Sequence, residues 1–400
     1  MPRVIFLNRF FAPDSSATSQ LASDLAFDLA ARGLEVVAIT GRQRYDDPKI
    51  QLAPTDSLRG VRIVRVRTTT FGRSWLPGRM LDYLTFYLSA TLALMRQVET
   101  GSRVIAMTDP PLISFPAAFV AARRKAFLIN WLQDVFPEVA QRLGVMRSGR
   151  LLRWLTALRD RSLRRATINV VIGRRMAELV AAGCGSIAVR VIPNWALEES
   201  PPGPANPLRR AWDLEGRFIV GYSGNMGRAH ALDSLLDAAA LLRHLHHIVF
   251  LLIGDGAQLP ALKAKVAAQH LTNVVFKPFQ PRENLHNSLS LPDLHVVSLD
   301  ERLEGLIVPS KFVGIIAVGR PVLFLGAADG EIGGCITRSG CGVTAATGDV
   351  AAIAAAIERL AGDPAALATM SAGAHDLWDR ESRRQHALDA WANLLSQLDG

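Results

Sequence analysis

The sequence predicts two open α/β domains in tandem, each built on a parallel sheet, with a cleft between them. Three observations carry this. Short β-branched runs alternate with helical patterns along the whole chain, as βαβ units require. A length of 400 residues exceeds one ordinary core and suits two domains of roughly 100 to 200 residues each. The segment Glu198 to Pro207 holds four prolines within seven residues and little apolar content, so it reads as a linker.

In the first domain the strand candidates are Val4 to Asn8, Glu35 to Thr40, Arg103 to Met107, Ala126 to Trp131, Ile168 to Ile172 and Ala188 to Ile192. The clearest helix is Gln20 to Arg32, where Leu21, Ala22, Leu25 and Leu29 recur at helical spacing and Gly33 stands at the stop. The loop before it, Arg9 to Thr18, lacks the G-x-G-x-x-G of a dinucleotide turn, which removes most of the case for NAD. Beyond the linker come strands Phe218 to Tyr222, Ile248 to Ile253, Asn273 to Phe276, Leu294 to Ser298 and Pro321 to Leu325. Helices Leu232 to Arg243 and Leu259 to Ala268 lie among them. The stretch Ala374 to Leu398, with Trp378 and Trp391, reads as a closing helix without a stated docking site. The expected division is a first domain over 1–200, a linker over 201–215, a second domain over 216–376 and the closing helix over 377–400.

Composition narrows the function. Hydrophobic residues make up 49% and charged residues 20%, which excludes disordered and fibrous classes. The three cysteines, Cys184, Cys335 and Cys341, show no C-x-x-C spacing, so a zinc or redox site is not expected and a reducing cytoplasm fits. The N-terminus has no signal-peptide pattern, and the apolar runs near Leu81 to Met95 and Pro111 to Ala122 fall short of the roughly 20 residues of a spanning helix. Residues 1 to 195 hold 28 Lys and Arg against 14 Asp and Glu, whereas the remainder holds 17 against 22. A basic first half and an acidic second half point to an anionic partner for the first alone. Since only six of the 45 basic residues are lysine, arginine-rich codon usage explains the excess equally well.

Three turns of the second domain suit phosphate. Gly221 to His230 (GYSGNMGRAH) follows a strand and opens a helix, so its glycines admit close backbone approach while Gly224, Asn225, Arg228 and His230 offer donors. Gly254-Asp255-Gly256 follows the next strand, and Pro309-Ser310-Lys311 opens a further helix. In a parallel sheet, loops at the carboxyl ends of strands converge on one crevice. Lys311 near a helix N-terminus is unfavourable unless an anion sits there too. In the first domain Asp134 follows the strand Ala126 to Trp131, at its carboxyl end, where a carboxylate can accept or orient a hydroxyl proton or simply cap the next helix.

The chain resembles the retaining glycosyltransferases of the GT-B type, family 4, in the bacterial polysaccharide branch. The stretches that carry this are FFAPDSSATSQLASDLAFDLAARGLEVVAIT, TDPPL, LQDVFPEVAQRLGV, VIPN, YSGNMGRAHALDSLLDAA, LLIGDG and VPSKFVGIIAVGRPVLF, which together span nearly the whole chain. The resemblance implies two Rossmann-like domains facing across a cleft. It implies a nucleotide-sugar donor, UDP- or GDP-linked, in the second domain and an acceptor presented by the first. Transfer would retain anomeric configuration, with no metal and no further cofactor. Asp134 and Glu304 are then the catalytic candidates. Gly224, Asn225, Arg228, His230, Gly254, Asp255, Pro309, Ser310, Lys311 and Glu331 are assigned to the donor, and Ser15, Ser16, Thr18 and Glu138 to the acceptor. The family's Arg and Lys of the donor loop fall on Asn225 and His230, so Arg228 supplies charge in their place. Of the family's two glutamates the later falls on Gly314, and Glu304 is the nearest candidate for the earlier.

A membrane surface is the third expected partner, beside the donor and a lipid-linked, polyprenyl diphosphate saccharide; nucleic acid is not expected. Between Arg147 and Arg165, Leu151, Trp154, Leu155 and Leu158 recur at helical spacing among Arg150, Arg153, Arg161 and Arg164, as on an interfacial helix. A second candidate is Trp75 to Met95, with Trp75, Tyr83, Phe86 and Tyr87 as interface residues near Arg73 and Arg79. These features favour an enzyme on the cytoplasmic face of the cell membrane. The alternatives are a non-catalytic scaffold on the same fold, favoured by the Asn225, His230 and Gly314 departures, and a sugar-nucleotide epimerase.

Overall fold

The structure, a computed structural model, describes residues 3–45, 47, 49–72, 76–196, 206–281 and 284–398. Most of the proline-rich linker, and Arg73 and Trp75, lie outside the described residues. The chain forms two units: Met1–Pro193 with Ala387–Gly400, and Asn194–His386.

Unit 1 runs β1 (Val4–Leu7), α1 (Ala17–Ala31), β2 (Val36–Gly41), β3 (Thr55–Leu58), β4 (Val61–Val66), α2 (Leu76–Gln97), β5 (Arg103–Ala106), α3 (Ser114–Arg124), β6 (Phe127–Leu132), α4 (Glu138–Arg142), α5 (Arg150–Arg165), β7 (Ile168–Val171), α6 (Arg174–Cys184) and β8 (Val189–Val191). The sheet order is β3-β4-β2-β1-β5-β6-β7-β8. Every pairing is parallel except that of edge strand β3 with β4. The central strands are buried on both faces, which is why they read as unbroken apolar runs. Strands β3 and β4 were not expected. Their signal is the alternation of Val61 and Ile63, both buried, with the exposed Arg62 and the half-buried Val64, broken by the buried Arg65.

Right-handed crossovers put α2, α3 and α5 on one face of this sheet, where α3 packs against both α2 and α5. The opposite face receives the C-terminal helix. The stretch expected as one helix over 374–398 is broken by a π-turn, Trp378–Ser382, and only the part beyond it reaches unit 1. There Trp391 lies 4.8 Å, centroid to centroid, from Trp131 of β6, and Asp389 pairs with Arg32 at 2.6 Å. Trp391 is fully buried. Trp391→Ala should therefore cost unit 1 about 3–5 kcal/mol, read by circular dichroism as a lower urea midpoint of its unfolding transition. An unchanged midpoint would leave the C-terminal helix an ornament of the domain.

Unit 2 runs α7 (Pro207–Ala211), β9 (Phe218–Ser223), α8 (Leu232–Leu241), β10 (Ile248–Ile253), α9 (Leu259–Ala268), β11 (Val274–Lys277), α10 (Leu285–Ser290), β12 (Leu294–Ser298), α11 (Lys311–Ala317), β13 (Val322–Leu325), α12 (Glu331–Ser339), β14 (Gly342–Ala345), α13 (Val350–Ala361) and α14 (Pro364–Leu377); α15 (Arg384–Ser396) then leads back to unit 1. Its sheet is wholly parallel, in the order β11-β10-β9-β12-β13-β14. Residues 206–215, expected as linker, belong to this unit. The Asn206 side chain caps α7 by accepting from the Leu208 N–H at 3.0 Å, and Leu208, Trp212 and Leu214 pack with Ile219 and Leu251. Chain order reverses between β9 and β12, so the carboxyl ends of those strands form the switch point at which open α/β sheets bind ligands.

Candidate functional site

At that switch point the glycine-rich turns meet. Gly224 follows β9 with φ +132°, and a side chain there would collide with the Lys311 stem, so only glycine allows both the turn and the lysine's approach. Gly254, after β10, packs against the Gly224 carbonyl. The Met226 N–H donates to the Asp255 carbonyl at 2.7 Å and the Gln258 N–H to the Met226 carbonyl at 3.0 Å, which zips the two turns together. The Gln258 side chain adds bonds to the carbonyls of Gly227 and His230. Asn225 and Arg228 are exposed on this turn.

Lys311 is the hub. Its ammonium donates to Tyr222 Oη at 2.6 Å, to the Asn225 carbonyl at 3.3 Å and to His230 Nε2 at 3.2 Å, and lies 4.4 Å from the Tyr222 ring centroid. His230 Nδ1 donates to the Ser298 carbonyl at 2.6 Å, so Nε2 is the bare nitrogen that accepts from lysine. Burial, helped by the Lys311 charge, pushes His230 down to about 4, which keeps the imidazole neutral. Burial also lowers Lys311 to about 7. A lysine held there by neutral partners, with no carboxylate among them, is poised to gain from an anion. Lys311 is the first residue of α11, with Ser310 exposed before it and Pro309 buried. Sequence reasoning missed Tyr222, Ser298 and Gln258, since each reads locally as an ordinary strand or helix-start residue.

Glu304 and Glu331, far apart in sequence, come together. Glu304 Oε1 accepts from the Glu331 N–H at 2.7 Å and its carboxylate fills the space where Gly330 lacks a side chain, so it ties down the first turn of α12. Gly314, where the family's later glutamate would fall, sits in α11 against Leu289. Beside the turns a cavity of about 420 Å³ is lined by Gly254, Asp255, Lys263, Phe276, Lys277 and Phe279, the last 55% exposed. Phe279 carries no sequence signal, because a loop aromatic is read as packing until its exposure is known.

In unit 1, Asp134 lies just beyond β6 beside a cavity of about 30 Å³, lined also by Thr108, Asn130 and Arg159, which admits a water or one hydroxyl and no sugar ring. Asp134 Oδ1 is sealed from solvent and has no hydrogen-bond partner among the described residues. Burial, with the Asp109 charge adding, lifts its carboxyl to about 6 against the pull of the Thr108 hydroxyl. Glu138, expected at the acceptor, instead forms a two-armed ion pair with Arg159 at 2.7 and 3.0 Å, and Arg159 also holds Asp160 at 2.7 Å. Asn130 and Asn169, both buried, bond at 2.9 Å, and Asn169 bonds the Leu163 carbonyl at 3.0 Å, which pins the end of α5 to the sheet. In the loop before α1, Ser15 is exposed and Ser16 buried with its hydroxyl unpartnered among the described residues, while Thr18, in the first turn of α1, is half-buried.

The basic helix α5 keeps Arg150, Arg153, Arg161 and Arg164 at the surface, together with Leu151 and Trp154, and Arg164 reaches the Cys184 carbonyl at 3.3 Å. Leu155 and Leu158 are half-buried. On α2 the expected interface aromatics face inward: Phe86 is fully buried, the Tyr87 hydroxyl bonds the Pro111 carbonyl, and Tyr83 stacks beneath Arg9 at 5.2 Å. The pivot is Asp82, buried and accepting from Thr69 and from the N–H groups of Phe71 and Gly72, which turns that side of α2 to the core. Among the described residues no helix is long and apolar enough to cross a membrane, and no cluster of three or more His, Cys, Asp or Glu could hold a metal.

Each of the two units matches a known family. The family model for glycosyl transferases group 1 matches residues 217–363 and the model of the glycosyl transferase 4-like domain matches residues 17–195. The putative colanic acid biosynthesis glycosyl transferase WcaI of Escherichia coli K12 is 25% identical over 367 residues, covering 87% of this chain and 89% of that protein. The probable glycosyltransferase WbjE of Pseudomonas aeruginosa is 28% identical over 280 residues, 68% of each chain. Among solved structures, Anabaena HepE in complex with UDP-glucose superposes with a TM-score of 0.73 at 15% identity over 99% of each chain.

Proposed function

As the chain belongs to the GT-B glycosyltransferases, with a group 1 C-terminal domain and a 4-like N-terminal domain, we propose that it transfers a sugar, with retention, from a UDP- or GDP-sugar to a lipid-linked saccharide. The acceptor is a polyprenyl diphosphate saccharide of surface polysaccharide assembly, met at the cytoplasmic face of an anionic membrane. One observation carries the donor side: two glycine turns and a half-buried Lys311 held by Tyr222, the Asn225 carbonyl and His230 converge at the sheet's switch point. The names of WcaI and the UDP-glucose held by HepE support polysaccharide and UDP-sugar respectively.

In this reading the Gly224–Asn225 turn, which brings Lys311 and the exposed Asn225 and Arg228 together, receives the diphosphate on those side chains, and His230 orients Lys311 from its neutral side. Preorganised donors of this kind stabilise charge that grows as the diphosphate leaves, so neither a metal nor a further cofactor is needed. Glu331, fixed by Glu304, faces a sugar or ribose hydroxyl, and the cavity beside Phe279 takes the base. Asp134 accepts or orients the proton of the acceptor hydroxyl, with Ser15, Ser16 and Thr18 on the same acceptor side and Arg159 and Glu138 bracing it. Thermal unfolding with UDP and with GDP tests the donor side. A ligand at 100 times its dissociation constant adds about 2.7 kcal/mol. Absence of a shift with either nucleotide would give the chain to the scaffold reading, for which the Asn225, His230 and Gly314 departures speak.

A further inference from the structure

Helix α2 carries an apolar ridge that its own domain leaves uncovered. Met80, Leu84, Leu88 and Leu92, four residues apart on one helix row, are each 52–61% exposed, and Leu81 beside them is exposed too. Phe119 of the adjoining α3 and Leu151 and Trp154 of α5 extend the apolar surface across the helix layer. Large contiguous apolar patches are rare on monomeric proteins and mark interaction surfaces.

Charge says what covers it. The three helices hold ten arginines and two aspartates. Both aspartates are withdrawn: Asp82 is buried, and Asp160 pairs with Arg159 and accepts from the Cys184 thiol. The outer surface of these helices therefore presents aliphatic and aromatic side chains flanked by Arg79, Arg96, Arg123, Arg150, Arg153 and Arg161, with no carboxylate on it. A second copy laid on this face by two-fold symmetry would set arginine against arginine. An anionic bilayer offers headgroup phosphates to the arginines and acyl chains to the ridge.

We propose that the α2–α3–α5 surface docks on an anionic lipid bilayer, with the Met80, Leu84, Leu88 and Leu92 ridge entering the acyl boundary and the α5 arginines lying at the headgroups. It rests on the reading that the acceptor is membrane-borne. It differs from an α5-only contact by making α2 the element that inserts, through the side opposite its aromatic residues.

The test is co-sedimentation of the full chain with phosphatidylcholine vesicles, with and without phosphatidylglycerol, at low and high salt. Wild-type protein should bind the anionic vesicles at least tenfold more tightly than the neutral ones. Leu84→Ser/Leu88→Ser, at exposed positions, should lose at least tenfold at both salts, whereas Arg150→Ser/Arg153→Ser/Arg161→Ser should lose chiefly at low salt. Leu88→Trp should add blue-shifted emission, quenched by brominated acyl chains, when vesicles are present. Retained vesicle affinity in the α2 double variant overturns the proposal, as does an unquenched Leu88→Trp or a wild-type dimer that this variant dissolves without change in vesicle binding. The UDP-induced thermal shift, read on the same proteins without vesicles, separates the two readings. A normal shift with no vesicle binding removes the docking surface alone, and vesicle binding with no shift leaves the surface standing while the donor site falls.

Discussion

Lys311→Ala is expected to lower turnover about 100- to 1000-fold while leaving unit 2 folded, the loss of about 2.7–4 kcal/mol typical of one preorganised donor at a developing oxyanion. Lys311 is held on three sides by Tyr222, the Asn225 carbonyl and His230 Nε2, none of which is negative. The arriving diphosphate is then the first full counter-charge it meets. Arg228→Ala should act in the same direction, because Arg228 stands exposed on the same turn. Normal turnover in both variants would take the donor site out of unit 2. The pH dependence has a definite sign. Burial sets Lys311 at about 7 in the free protein, and a bound anion favours the ammonium, so nucleotide binding takes up a proton above that pH. UDP affinity should decline from pH 7 to 9, a window in which the terminal phosphate, with its second pKa near ~6, is already ionised. Titration calorimetry in two buffers reads the proton directly, and Lys311→Ala should show neither the uptake nor the decline.

Asp134→Asn should reduce kcat about 100- to 10,000-fold, the range of a lost general base, with UDP affinity unchanged because the residue belongs to the other unit. Its carboxyl is lifted to about 6, chiefly by burial. A base must be ionised to act, so turnover should fall as pH drops through about 6, and the asparagine variant should lack that limb. A collapse of nucleotide affinity with normal residual chemistry would mean that Asp134 serves the donor. The amide retains the carboxyl's shape beside the 30 Å³ cavity, so the variant should fold as the wild type does, which circular dichroism checks.

The candidate-site residues legible in the sequence are those whose role is local. Gly224 and Gly254 are legible because a turn between a strand and a helix demands them, and Lys311 because a cation at a helix start is an electrostatic oddity. Tyr222 was not legible: it is a strand residue, and its partner Lys311 lies 89 positions away. Arg159 reads as one of many surface arginines of α5, yet the fold turns it inward to Glu138 and the wall of the Asp134 cavity. Glu304 reads as a free loop acid, and only the approach of Gly330 makes it the anchor of α12. Helix α2 is apolar on two sides, so periodicity alone does not say which side meets the sheet. In the structure Asp82, Phe86, Ala90 and Leu94 are buried, and Met80, Leu84, Leu88 and Leu92 are left exposed.

By itself the sequence determined the two α/β sheets, the phosphate-suited turns and the basic character of the first half, since strand burial, glycine turns and net charge are properties of short segments or of composition. The approach of α11 that sets Lys311 against Tyr222 and His230, the exposed face of α2, the return of the C-terminal helix to Trp131 and the pairing of Glu304 with Glu331 were decided by tertiary structure alone. Each of these depends on contacts between residues far apart in the chain. Such contacts are chosen by the packing of whole elements against one another, a choice that no window of neighbouring residues contains.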